Sequence, residues 1–110
     1  MILQYSTFNY STIPLGIIFY TPEKDIQTFI YVDDLSPIAE IDDEINLELV
    51  RCLLLGIKED IESQQNFSIR EFTKYYVNDF RFDDEQTVQT DDITQTVEDL
   101  KKSILNSVNN

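Results

Sequence analysis

The stretch "ILQYSTFNYSTIPLGIIFYTPEKDIQTFIYV", from Ile2 to Val32, carries the reading on which the fold turns. Ile2–Tyr10 alternates apolar and polar residues in part and is rich in tyrosine, phenylalanine and threonine, the pattern of a strand. "STIP" interrupts it, and "LGIIFYT" at 15–21 predicts a second strand, with Gly16 marking a turn exit or a close backbone approach. "TPEKD" at 21–25 is a turn whose φ is preset by Pro22, and "IQTFIYV" at 26–32 is a third strand. Strands joined by such short connections predict an antiparallel meander.

Beyond Val32 the period changes. Asp33 to Ile45 reads as a loop holding Pro37 and several acids, with room for one helical turn. Asn46 is a candidate N-cap, and Glu48 suits the positive end of a helix dipole. Leu47, Val50, Leu54, Ile57 and Ile61 step by three or four, and Leu49 and Leu53 widen the stripe. The spacing predicts a helix burying much of its girth against the sheet, with Cys52 an inert buried thiol. Ser68 is a candidate cap for a shorter helix, "IREFTKYYV", with Ile69, Phe72 and Tyr76 on one face. "DFRF" at 79–82 and "TVQT" at 87–90 read as extended pieces either side of an acidic turn. A last helix has Asp91 and Asp92 at its start, Lys101 and Lys102 towards its end, and a stripe of Ile93, Val97, Leu100, Ile104 and Val108. The tail "NSVNN" is expected to fray. Residues 1–110 are expected to form a single α+β domain. It would have a small, mainly antiparallel sheet of about three or more strands, with two to three helices packed on one face.

Composition sets the class of partner. Twenty-one acidic residues against eight basic ones leave a net charge of −13. Such a surface repels nucleic-acid backbones and anionic membranes and attracts basic protein patches. The apolar run "IPLGIIFY" is too short to span a bilayer, and no basic-then-apolar leader opens the chain, so a cytoplasmic setting is expected, in a bacterium or a phage-infected host.

The chain has no histidine, one cysteine and two glycines. That removes the usual general base, Ser-His and Cys-His catalysis, a structural zinc site and any phosphate-binding glycine loop. No catalytic residue, metal site or cofactor is expected. "DDE" at 42–44 and at 83–85 is the material from which a Mg²⁺ or Ca²⁺ site would be built, but adjacent residues point in different directions. The candidate partner-binding residues are therefore acids of the loops: Asp33, Asp34, Asp42, Asp43, Glu44, Asp83, Asp84, Glu85, Asp91 and Asp92. Aromatics recur in "QYSTFNY", "IIFY", "FIY" and "YYVNDFRF" without the positive charge of a base-stacking platform, which favours packing.

The order of "LQYSTFNYSTIPLGIIFYTPEKD", "IDDEINLELVRCLLLGIKEDI", "YYVNDFRFDDEQ" and "DITQTVEDLKKSIL" resembles a small bacterial family known as domain of unknown function 3037. The resemblance runs through nearly the whole chain on short, mostly apolar motifs. Gly16, Asn78, Phe80 and Phe82 match the family's signature and look structural. The family's Arg-x-Glu-rich loop and the asparagine before the second-strand glycine are replaced here by "STIPL", which departs from the pattern where a family function would lie. The resemblance implies an α+β domain without established activity. Its members' frequent neighbours, HipA-like kinases, imply an accessory or antitoxin-like partner.

Several functions follow from these readings. The first is a non-enzymatic acidic protein that binds a basic protein such as that kinase. The second is a phage anti-defence protein imitating nucleic acid to inhibit a nuclease. The third is a carboxylate- and Mg²⁺-dependent enzyme. A homodimer, with its interface supplied by the apolar girth of 47–61 and the alternating strands, is a further possibility.

Overall fold

The computed structural model describes residues 1–23, 26–63, 68–73, 76–77 and 79–105. The meander is there: β1 (Ile2–Tyr10), β2 (Ile13–Tyr20) and β3 (Gln27–Tyr31) pair antiparallel in sequence order. Only Ser11 and Thr12 join β1 to β2, a two-residue hairpin with Ser11 at a φ of 56°, the positive value that primed hairpin turns require. "STIP" is thus half turn and half strand. Pro14, which has no N–H to give, sits beside a bulge at Leu15, where the register shifts between Phe8 and Asn9. The turn between β2 and β3 is closed by Thr21, whose N–H donates to the Ile26 carbonyl and whose hydroxyl accepts from the Ile26 N–H.

After β3 come α1 (Ser36–Ile41), α2 (Leu47–Ser63), α3 (Ile69–Phe72), β4 (Tyr76–Val77), β5 (Phe80–Phe82), β6 (Gln86–Gln89) and α4 (Ile93–Leu105). Asn46 caps α2 as expected, its side-chain oxygen accepting from the N–H groups of Glu48 and Leu49. Asp92 does the same for α4 at Gln95 N. The helix expected across Ile69–Val77 is corrected: α3 ends at Phe72, and Tyr76–Val77 is a strand paired with β5. Asn78, Val108 and the tail "NSVNN" lie outside the described residues.

The sheet has the order β3-β2-β1-β5-β4, and β6 also pairs with β1. β5 and β6 lie one after the other along the same edge of β1, both antiparallel to it. Between the pairs Phe8–Phe82 and Tyr5–Gln86, three residues, Asp83 to Glu85, face two, Ser6 and Thr7. The acidic "DDE" is therefore no reversing turn but a bulge in a nearly continuous strand. It is stitched to β1 by Asp83 N donating to the Thr7 carbonyl and by the Ser6 hydroxyl donating to the Asp83 carbonyl.

The α+β class and the mainly antiparallel sheet stand as predicted, but the helices divide between two faces. Phe8, Tyr10, Ile18, Phe29, Phe80 and Phe82 point to the first face, where Leu35, Ile38, Val50, Leu54, Ile57, Ile61 and Ile69 cover them. Leu3, Ile17 and Phe19 point the other way, against Ile93 and Leu105, with Val97, Leu100 and Ile104 at the margin. Successive side chains of a strand alternate between faces, so Ile17, Ile18 and Phe19, all fully buried, require a cover on each side. α4 supplies the second.

The outer edge of β3 is closed by α2. Gln27 Nε2 donates to the Ile61 carbonyl, Lys58 Nζ donates to the Phe29 carbonyl at 3.3 Å, and Thr28 donates to Glu62 at 2.7 Å. Lys58 and Glu62 form an ion pair at 2.5 Å. Burial pushes the Glu62 carboxyl up, but hydrogen bonds from Lys58, Thr28 and the Phe29 N–H outweigh it and hold the group below its usual range. Edge groups satisfied in this way do not recruit another strand.

Candidate functional site

The ten acids singled out in the sequence fall at three places. β3 runs in the same direction as β1, so Asp33 and Asp34, just past β3, lie at the end of the sheet where β1 finishes. The α1–α2 connection reaches that same end, because the Tyr10 hydroxyl donates to Asp42 Oδ2 at 2.6 Å. Asp42, Asp43 and Glu44 thereby share that end of the sheet with Asp33 and Asp34. Asp83, Asp84 and Glu85 occupy the bulge. Asp91 and Asp92 lie at the opposite end, where Thr90 N donates to the Met1 carbonyl.

Within these groups the roles differ. Asp42 is half-buried and anchors the loop: besides Tyr10 it accepts from Glu44 N, and its carbonyl accepts from Ile45 N. Asp34 accepts from Ser36 N at the start of α1. That backbone hydrogen bond, one from the Ser36 hydroxyl and the nearby charge of Arg51 hold its carboxyl below the usual range. Asp92 is a helix cap. Asp33, Asp43, Glu44, Asp83, Asp84 and Asp91 have exposed side chains. The Tyr10 phenol is pushed up to about 12, first by its hydrogen bond to Asp42, then by burial and by the charges of Asp42 and Asp79. Asp79 thus joins the acidic end, although sequence reasoning passed over it inside "NDF", whose position only the pairing of β5 reveals. Its carbonyl accepts from Ser11 N.

Among the described residues, no three of the acids and the cysteine converge as ligands for a metal ion. A groove of about 490 Å³ runs between the second face of β1 and the end of α4, lined by Tyr5, Thr7, Asn9, Asp83, Asp84 and Ser103 among others. Its walls offer hydroxyls, an amide and two carboxylates, and Asn9 Nδ2 is turned back onto the Thr7 carbonyl.

A second surface was misread in the sequence. Leu49 is 66% exposed and Leu55 48%, and Cys52 is exposed rather than buried. The reason is geometric. A helix lying on a sheet buries one face, here Val50, Leu54, Ile57 and Ile61, and among the described residues nothing covers three more apolar residues on the far side. Ile41, at the end of α1, is also 59% exposed.

No family model, no curated protein and no solved structure matches this chain. No helix among its described residues is long and apolar enough to cross a membrane.

Proposed function

We propose that this chain is a non-enzymatic protein-binding module that engages a basic surface through the acidic end of its sheet. The observation that carries this reading is the tethering of two acidic loops to one end. The Tyr10–Asp42 hydrogen bond holds the α1–α2 connection at the end of β1, the end of the sheet where β3 also finishes, so exposed Asp33, Asp43 and Glu44 present charge from that one end. Carboxylates so placed steer a cationic partner and form rim pairs with it. The overall charge of −13 acts in the same sense at longer range. Imitation of nucleic acid calls for acids ranked along a rigid face. These acids instead belong to loops at one end, a bulge on an edge and a cap at the other end. An accessory partner of a HipA-like kinase, as the family resemblance implies, is the particular form of this proposal.

The test is retention of a stoichiometric protein of basic isoelectric point from native lysate at low salt. The triple variant Asp33→Asn, Asp43→Asn, Glu44→Gln serves as the control. Retention by the native chain, lost in the variant and lost by about 0.5 M NaCl, is the expected outcome. A captured protein that holds equally well to the variant, or no stoichiometric capture at all, sinks the reading.

A further inference from the structure

The outward face of α2 is left uncovered among the described residues: Leu49, Cys52 and Leu55 are all exposed. At about 100° per residue, Leu49, Cys52 and Leu55 span an arc of about 120° centred opposite Val50, Leu54 and Ile61. Gly56 stands one turn beyond Cys52 on the same side, and a Cβ added there would meet nothing within 4 Å. Glycine in a helix interior costs stability relative to alanine. Packing among the described residues gives no reason for it, and neither does it explain two leucines left in water. A side chain arriving from outside accounts for both, because Cys52 and Gly56 leave a notch between flanking leucines. Carboxylates outnumber cations around this face: Glu48 stands at one end and Glu59 and Asp60 at the other, all exposed, against the single exposed Arg51 on the Leu55 flank. A second copy would set like charges against one another, whereas a cationic segment would be drawn in.

We infer that the Leu49–Cys52–Leu55 face of α2, with its notch at Gly56, docks an amphipathic helix of a partner whose apolar side is flanked by lysine or arginine. The inference rests on the reading of a basic partner and adds where its apolar contacts fall. A helix laid on such a strip uses anchors at three- and four-residue spacing, and its flanking cations meet those carboxylates.

Cys52, the chain's one cysteine, makes occupancy directly readable. The probe is a synthetic leucine–lysine amphipathic helix of about 18 residues, long enough to lie along the strip. Two control peptides accompany it, one with glutamine for every lysine and one with serine for every leucine. The expected result is that the leucine–lysine peptide slows alkylation of Cys52 by iodoacetamide about tenfold, and that Leu49→Ser with Leu55→Ser weakens its binding about tenfold. Both Tm values should match. Gly56→Ala should raise Tm while weakening binding. Equal binding to the native chain and the double-serine variant, or binding without protection of Cys52, overturns the α2 site and leaves the basic-partner reading standing. A glutamine peptide that binds as well as the lysine one overturns the cationic occupant. Failure of both lysine-bearing peptides to bind at low salt overturns this site and the basic-partner reading together. Dimerisation that depends on Leu49 and Leu55 would show that a second copy takes the face, and would overturn the inference.

Discussion

At Gly16 a methyl group has nowhere to go. A Cβ there would stand 2.5 and 2.7 Å from the ring tip of Phe29 and 3.0 Å from the Ile30 carbonyl oxygen, and that ring is fully buried. Gly16→Ala is therefore expected to lower unfolding free energy by about 1–3 kcal/mol, the usual cost of overpacking. Chemical denaturation measures it, and adding Phe29→Leu should recover part of the loss, a coupling absent if the ring is not the obstacle. The two openings that the sequence left for Gly16, turn exit or close approach, resolve to the second. Tyr10 gives another residue-level test. Its phenol holds its proton to about 12, against about 10 in an unfolded chain, so the folded state binds the proton more tightly between those values. The stability this supplies is whole below pH 10 and is lost as pH rises through 12. Tyr10→Phe should lower the denaturation midpoint at pH 8, and its deficit should shrink between pH 10 and 12. A deficit that stays constant over that range would disprove the coupling to Asp42.

At the scale of the element, α2 shows how much periodicity alone conveys. The spacing of Val50, Leu54, Ile57 and Ile61 was legible and marks the buried face. The excess leucines were legible only as residues, because a helical wheel shows where they project and not whether anything stands there. Adjacent positions make the check: Leu54→Ala should cost about 2–5 kcal/mol, and Leu55→Ala within about 0.5 kcal/mol, in urea titrations. Near-equal losses would mean that both faces of α2 are packed. Short segments fared worse. "TKYYV" has strong aromatic and β-branched content, and pairing with β5 takes Tyr76 and Val77 into the sheet where a local reading continued a helix.

Across the whole molecule, charge acts as a load. A net −13 on 110 residues repels itself, and salt screens that repulsion. Tm is expected to rise by about 2–5 °C between ~0.02 and ~0.15 M NaCl, measured by calorimetry. A fall would show that attractive pairs such as Lys58–Glu62 outweigh the repulsion. The same screening should weaken partner binding, so stability and association ought to move in opposite directions with salt.

Three strands, the capped helix at Leu47–Ser63, the closing helix and the acidic surplus were all determined by the sequence alone, because each rests on local spacing, caps or simple counting. The tertiary structure alone decided the rest. It put α4 across from α2, a need written only faintly in the unbroken run of Ile17, Ile18 and Phe19. It turned "DDE" at 83–85 into a bulge, because the partner residues Ser6 and Thr7 lie nearly eighty positions away. It set Asp33, Asp42 and Asp79 at one end, by the direction of β3, the Tyr10 hydrogen bond and the pairing of β5 respectively. Contacts between residues far apart in the chain leave no period to read, and it is those contacts that set which charges and which leucines face outward.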